Sequence, residues 1–325
     1  MWLTHLNHLC VLSVVKACPT IKICKVLRLK PLEIKKRNAF SDVFVKQNMV
    51  SVFVSVDMEG LTGAVSPNQV LPGRHDYERF REVMVRETNA VIRGAFEAGA
   101  KRVLVNDSHD GMLNLKIEKL DERAELISGN HKPFSMMQGI DEGFECAIFL
   151  GYHSMASGEG VLSHTMTGFV SKAFLNGIPA SEAVINATLA GHFGVPVALI
   201  AGDQHAVSEL KEVYPYADGV VVKRAIERYS AQSRPIEEVE KELFAKTVGV
   251  LKRVHTLKPF KPTPPLRLVL ELAQPSLVSR ALYAPIANKL DTKTLEILGD
   301  DPLDVYMKFR AILLLASGAR DPDYG

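Results

Sequence analysis

Carboxylate and imidazole side chains follow three of the most apolar segments of the chain, at the points where those segments end. Asp57 and Glu59 lie in the string S-V-D-M-E-G, His109 ends the string V-N-D-S-H, and His153 ends the string F-L-G-Y-H. These residue types are the ligands that Zn²⁺ takes in proteins. Because sites in open α/β sheets form at the carboxyl ends of strands, the pattern points to metal-assisted chemistry at one rim of a sheet.

The carboxylate pair is the first part of this pattern. Residues two apart in extended backbone point to the same face, so Asp57 and Glu59 are expected to lie together. Two adjacent carboxylates repel unless a cation or a proton compensates their charge, and a divalent metal supplies that charge. Gly60 then permits a tight turn or the close approach of a ligand. On this motif alone the alternative stays open that Asp57 caps a helix and Glu59 is solvated.

The two histidines strengthen the metal interpretation only in combination with the carboxylates. Each directly follows an apolar segment, which would aim His109 and His153 at the same rim. Their separation lacks the short spacing of a zinc finger, and a single histidine of this kind is more often structural. Asp107 and Asp203 also end apolar segments, where they either orient the histidines or cap turns.

Glu182 and His164 carry weaker signals. Glu182 lies in the first turn of a predicted helix, where the helix dipole favours a carboxylate and Ser181 serves as cap. His164 follows a glycine-containing loop that could bring it near a metal. From the residues alone, structural roles are the better explanation for both.

Strand and helix signals alternate through most of the chain. Short apolar runs rich in β-branched residues predict strands at 50–56, 102–105, 125–128, 147–150, 195–201 and 219–222. Helical periodicity and end signals predict helices at 76–98 and 181–193. Strands that are apolar on both faces and alternate with helices indicate an α/β fold, with a mostly parallel central sheet covered by helices.

Three segments are predicted along the chain. Residues 1–48 form a basic extension, with seven Lys and two Arg against two acidic residues, that we expect to be poorly ordered. Residues 49–255 form an α/β metallohydrolase domain. Residues 256–325 form a smaller C-terminal α+β subdomain, with a strand at 266–272 and a helix at 302–316 after the string K-P-F-K-P-T-P-P. Because Met49 directly precedes the first strand, the alternative stays open that the extension is upstream sequence.

Composition excludes several kinds of partner. The chain has 325 residues, 47% of them apolar and 23% charged, with a formal net charge of +2, which does not indicate a nucleic-acid partner. No apolar run approaches the roughly 18 residues of a membrane-spanning helix, so no membrane partner is expected. Cys146 is the only cysteine beyond the extension. A single cysteine argues against a disulfide framework and indicates a reducing, cytoplasmic location.

Several strings together resemble one enzyme family. In chain order they are S-V-D-M-E-G, V-N-D-S-H, L-I-S-G, K-P-F-S-M, F-L-G-Y-H, S-H at 163–164, N-G-I-P-A-S-E and V-P-V-A-L-I-A-G-D. In this order and spacing they resemble the D-aminopeptidase family of zinc metallopeptidases. The resemblance covers about residues 49–320 and is looser in the C-terminal third.

The resemblance implies a ligand set for two zinc ions in each subunit. Asp57 would bridge the two ions. Glu59 and His109 would complete one site, while His153 and Glu182 would complete the other.

The resemblance also implies an activity and an assembly. His164 matches the family's catalytic histidine, a nucleophile or base. The implied reaction removes the amino-terminal residue from short peptides or amino-acid amides, and no motif here encodes a preference for D- or L-residues. The family further implies a homo-oligomeric ring with active sites facing an inner channel. Two alternatives stay open: a metal-dependent amidase with a non-peptide substrate, and a non-catalytic assembly or binding protein.

Overall fold

The structure, a computed structural model, describes residues 50–319. The basic extension predicted for residues 1–48 lies outside the described residues. Within the described range the strands are β1 Ser51–Val56, β2 Arg102–Asp107, β3 Glu125–Ile127, β4 Cys146–Tyr152, β5 Val170–Leu175, β6 Ile178–Pro179, β7 Val197–Asp203, β8 Asp218–Glu227, β9 Ser230–Ser233, β10 Leu266–Leu272, β11 Asn288–Lys289 and β12 Thr294–Gly299. The α-helices of that range are α1 Pro67–Val70, α2 Tyr77–Glu97, α3 Glu182–His192, α4 Gln204–Val213, α5 Ile236–Lys252, α6 Pro275–Ala281 and α7 Pro302–Ser317.

A seven-stranded sheet forms the centre of the fold, in the order β3-β2-β1-β4-β7-β8-β9. Its strands run parallel except for β9, which returns antiparallel to β8. The strand order reverses between β1 and β4: β2 and β3 extend the sheet outward from β1, whereas β7 and β8 extend it in the opposite direction from β4. Such a reversal opens a crevice at the carboxyl ends of the strands beside it. The predicted α/β class, a mostly parallel sheet covered by helices, is confirmed.

Both faces of this sheet are covered, which explains why its strands are continuous apolar runs. In β1, Val52 and Val54 pack into a hydrophobic core that includes apolar residues of α2 and α5. Phe53, between them, points into a second core that includes residues of α3, α7 and the second sheet. Full burial of one such side chain contributes about 1.5 to 3 kcal/mol, so burial on both faces fixes β1 at the centre.

A second, five-stranded sheet is antiparallel throughout, in the order β11-β12-β10-β5-β6. Its central strand, β10, has the bounds expected from the sequence, and α7 ends one residue beyond the expected helix. Two of its strands, β5 and β6, come from the loop region after β4 rather than from the C-terminal third. The division of the chain at residue 255 stays a prediction.

The end of β4 differs from the sequence-based expectation. The sequence predicts a strand over 147–150, but β4 continues through Gly151 to Tyr152. Gly151 has φ of +71°, and a Cβ there would lie 2.1 Å from the carbonyl oxygen of Asp57. A Cβ on Gly60 would lie 1.9 Å from the carbonyl oxygen of Tyr152. The two glycines let the end of β4 contact the loop after β1, where Gly60 N–H donates to Gly151 O at 2.7 Å.

Candidate metal centre

Four of the residues that the sequence singled out lie at the carboxyl ends of adjacent strands. Asp57 and Glu59 follow β1, His109 follows β2, and His153 directly follows β4. Because β1 lies between β2 and β4, the parallel register brings these side chains to one edge. This edge is the crevice at which the strand order reverses.

Glu182 and His164 reach the same crevice from outside the sheet. Glu182 is the first residue of α3, and the Ser181 hydroxyl caps that helix by accepting from Val184 N–H at 3.4 Å. One oxygen of Glu182 accepts the N–H of Met166 at 2.6 Å, which ties the helix to the loop that carries His164. We call the six side chains the acidic–histidine cluster; its members are Asp57, Glu59, His109, His153, His164 and Glu182.

Asp57 lies between two halves of the cluster. Its Oδ1 is 3.2 Å from His109 Nδ1, and its Oδ2 is 3.4 Å from His153 Nε2. His109 Nδ1 is also 2.9 Å from Glu59 Oε2, and His153 Nε2 is 3.3 Å from Glu182 Oε1. One carboxylate therefore faces two histidines, each of which has a second carboxylate of its own.

His164 completes the second half of the cluster. Its ring stacks on that of His153, with centroids 4.1 Å apart and planes 12° apart. Its Nε2 lies 3.8 Å from Glu182 Oε1. The side chain of His164 is 23% exposed, whereas that of His153 is 1% exposed. The structure thus brings together all six residues, with His164 the most accessible to solvent.

Each imidazole of the cluster is held by one backbone carbonyl. The pairs are His109 Nε2 with Val70 O at 2.6 Å, His153 Nδ1 with Ser154 O at 2.9 Å, and His164 Nδ1 with Leu162 O at 2.9 Å. Since a carbonyl only accepts, each of these nitrogens carries the proton and donates it. The other nitrogen of each ring faces the carboxylates, and once deprotonated it has the orientation that a metal ligand or a base requires.

Three buried polar atoms of the cluster have no hydrogen-bond partner within residues 50–319: Asp57 Oδ2, Glu59 Oε2 and His153 Nε2. Burying such atoms unpaired is costly, so each one in a native fold calls for a physical explanation. The ligand atoms of the cluster fall into two groups that could each hold an ion: one of Asp57, Glu59 and His109, the other of His153, His164 and Glu182. Nitrogen and oxygen donors of this kind fit zinc.

The charges of the cluster act strongly on one another. Burial raises the pKa of Asp57 to about 7, and the charge of Glu59 adds to this shift. Burial opposes ionisation of Glu59, but the charge of His109 beside it outweighs burial and holds the pKa of Glu59 well below its ordinary value. Burial alone would lower the pKa of His153, yet the charge of Glu182 raises it to about 10. In the absence of a cation, protons therefore balance the carboxylates.

Two aspartates hold the loops of the cluster. Asp107 accepts the backbone N–H groups of Asn114 at 2.6 Å and Leu115 at 2.7 Å, which fixes the loop after His109. Asp203 caps α4 and also accepts Val161 N–H at 2.7 Å, in the loop that leads to His164. Both residues therefore act on loop backbone.

Lys223 is a functional candidate that the sequence reasoning missed. It lies on β8, is fully buried, and donates to the carbonyl oxygens of Glu59 at 2.5 Å, Leu61 at 2.9 Å and Ala64 at 2.5 Å. Burial lowers its pKa to about 8. A lysine within the apolar string G-V-V-V-K is the signal that could have revealed it. Lys223 anchors the loop that carries Glu59.

A cavity of about 310 Å³ opens beside the cluster. It is lined by five members of the cluster and by other residues that include Met166, Thr167 and Arg310; the five are Asp57, Glu59, His109, His164 and Glu182. An α/β sheet with a cavity and two groups of metal-binding side chains at its switch point is the architecture of a metal-dependent hydrolase.

Comparison with known proteins assigns the family. The peptidase M55 family, described as D-aminopeptidase, matches residues 50–311. The D-aminopeptidase of Bacillus subtilis (strain 168) is 39% identical over 270 residues, which are 82% of this chain and 98% of that protein. The solved structure of the Zn-dependent D-aminopeptidase DppA from Bacillus subtilis, described as a self-compartmentalizing protease, gives a TM-score of 0.81 at 37% identity, covering 84% of this chain and all of that one.

The chain belongs to the D-aminopeptidase family. The family identified from the sequence motifs is thereby confirmed, as is the predicted class of enzyme, a metal-dependent aminopeptidase. Membership sets aside the alternative of a non-catalytic assembly protein. Over residues 50–319, none of the helices has the length and apolar character needed to cross a membrane.

Proposed function

We propose that the chain removes the amino-terminal residue from short peptides or amino-acid amides by means of two zinc ions held in the acidic–histidine cluster. The observation that carries this proposal is the placement of Asp57, whose two oxygens face two histidines on opposite sides. A carboxylate shared in this way, with unpaired buried atoms around it, suits a pair of cations.

The ligand assignment follows from the two halves of the cluster. Glu59 and His109 would hold one ion and His153 and Glu182 the other, with Asp57 shared between them. The zinc dependence of the related solved structure supports the choice of metal. When bound, a pair of zinc ions supplies the Lewis acidity that polarises a carbonyl group and activates water.

His164 is the side chain that we assign to proton transfer. Leu162 O fixes its Nδ1–H, so its Nε2 is free to take a proton from an attacking water and return it to the leaving amine. Its exposure to the cavity gives it access to a substrate, while His153 behind it does not line that cavity. The stacked ring of His153 and the fixed Nδ1 limit its rotation, so the base is oriented before substrate binds.

A metal and substrate survey tests the proposal. We expect about two zinc ions in each purified chain, loss of activity on chelation, and recovery when zinc is returned. A panel of D- and L-dipeptides and amino-acid amides should release free amino acid, and the name of the family favours the D-series. A chain without stoichiometric zinc, or one that cleaves only a non-peptide amide, would contradict the proposal and favour the remaining amidase alternative.

Two further properties belong to the same proposal. We infer a homo-oligomeric ring from the self-compartmentalizing relative, to be checked by light scattering of the purified protein. A cytoplasmic location is inferred from the free, buried Cys146, since reducing compartments keep thiols unpaired. Cell fractionation checks that location, and secretion of the protein would contradict it.

A further inference from the structure

One arginine lines the cavity beside the cluster, and it forms no ion pair with any of residues 50–319. Arg310 extends from α7 to line this cavity together with Glu182 and His164. Its Nε atom is buried, and within residues 50–319 it has no hydrogen-bond partner. A guanidinium has five N–H donors arranged to meet a planar acceptor, so an unpaired buried Nε indicates a missing partner.

A second unpaired atom lines the same cavity. Thr167 lies in the loop between β4 and β5, and its Oγ1 is buried without a hydrogen-bond partner in the part of the chain that the structure describes. The neighbouring N–H of Met166 is already bound to Glu182. Two residues from different elements of the fold, each with one buried polar atom that lacks a partner among the described residues, therefore line one cavity.

The charges around the cavity identify what these two groups would bind. The remaining charged lining residues are carboxylates: Asp57, Glu59, Asp110 and Glu182, together with the histidines. Arg310 is thus the one lining residue, among those described, that is permanently cationic. A planar carboxylate meets a guanidinium through two parallel hydrogen bonds, and a hydroxyl can donate a third.

We propose that Arg310 and Thr167 bind the free α-carboxylate of a short peptide substrate. The proposal rests on the proposed function and names the class of substrate. These are peptides short enough for the cleaved bond and the free carboxyl terminus to lie in the same cavity. The volume of about 310 Å³ fits a peptide of a few residues. The consequence is selectivity for di- and tripeptides with a free carboxylate over peptide amides and longer peptides.

A kinetic comparison tests this selectivity. The substrates are a D-alanyl-D-alanine dipeptide and the same dipeptide with its carboxyl terminus converted to an amide. The native chain should show a higher kcat/KM for the acid. Arg310→Ala should lower that preference about 10- to 100-fold, the value of hydrogen bonds to a charged group. Thr167→Val, which removes only the hydroxyl, should lower it about 3- to 10-fold.

Two matched variants separate charge from geometry. Arg310→Lys keeps the charge but loses the planar fork, so it should recover only part of the preference. Lys308→Ala removes a cation from the same helix, where Lys308 pairs with Asp304 at 2.6 Å and does not line the cavity. Its preference should match that of the native chain.

A binding measurement makes the test independent of turnover. Calorimetry would compare the acid and amide forms of a dipeptide whose peptide bond is replaced by an uncleavable methylene-amine linkage. The acid should bind more tightly to the native chain, and Arg310→Ala should abolish the difference. If no peptide is cleaved but this difference is found, the proposed function fails while the carboxylate site stands. Equal losses for acid and amide in Arg310→Ala, by kinetics and by binding, would overturn the carboxylate site alone.

Discussion

Lys223 offers the sharpest test of how the fold positions a metal ligand. Its ammonium group donates to three buried carbonyl oxygens in the loop after β1, including that of Glu59. Lys223→Met keeps a long apolar stem and removes all three donors. We expect the loop to loosen, Glu59 to leave its place, and zinc to bind less tightly.

The magnitude follows from two opposing effects. Hydrogen bonds to a charged group contribute about 1.5 to 3 kcal/mol each, and three of them are lost. Against this, the lowered pKa of Lys223, about 8 instead of 10.5, shows that keeping the buried ammonium charged costs roughly 3 kcal/mol. The losses outweigh the relief, so Lys223→Met should lower the free energy of unfolding by about 2 to 5 kcal/mol.

Two measurements on the same sample check this reasoning. Urea denaturation gives the free energy of unfolding, and equilibrium competition with a chelator gives the zinc affinity, which should fall about 10- to 100-fold. Lys101→Met is the control, because Lys101 is an exposed lysine between α2 and β2. A Lys223→Met protein as stable as the native one would refute the energetic argument. Reduced stability with native zinc affinity would refute the positioning role.

Three other perturbations have definite expected outcomes. His164→Ala should lower kcat about 10²- to 10⁴-fold, because it removes the group assigned to proton transfer. The control His205→Ala, at a histidine outside the cluster, should keep near-native activity. Full activity in His164→Ala would remove His164 from the mechanism. Gly151→Ala should lower the free energy of unfolding, measured by urea denaturation, by at least about 3 kcal/mol. The control Gly143→Ala should lower it much less, because both glycines have positive φ but only at Gly151 would a Cβ meet backbone. Glu87→Gln should flatten the dependence of stability on pH. Burial raises the pKa of Glu87 to about 7 from 4.5, so the native fold loses stability as pH rises from about 4.5 through 7. The variant should therefore be about 1 to 3 kcal/mol more stable than the native chain at pH 8, and no more stable at pH 4.

Local sequence patterns were sufficient for the parallel strands of the central sheet, but not for β9 at its edge. Strands β1, β2 and β4 are β-branched apolar runs because both their faces are buried, and that composition is visible without any tertiary information. Parallel strands deliver their carboxyl ends to one edge. The residues that follow them, Asp57, Glu59, His109 and His153, could therefore be placed together from the sequence alone.

Glu182 and His164 needed more than local pattern. A carboxylate at the start of a helix is common for reasons of helix dipole alone. What makes Glu182 part of the cluster is the packing of α3 against β4 and its contact with the loop at Met166. That packing depends on residues far apart in the chain, so only the family resemblance directed attention to these two positions.

The sequence by itself determined the class of fold, the family and the chemical type of the site, because burial periodicity and strand-end motifs are local properties of the chain. Only the tertiary structure decided the rest. The second sheet joins β5 to β10, two strands separated in the chain by all the elements from β6 to α5, and no local signal encodes such a pairing. Lys223 matters because folding buries it completely and places three carbonyl oxygens within its reach. Arg310 matters because folding buries its Nε beside the cavity without a partner among the described residues.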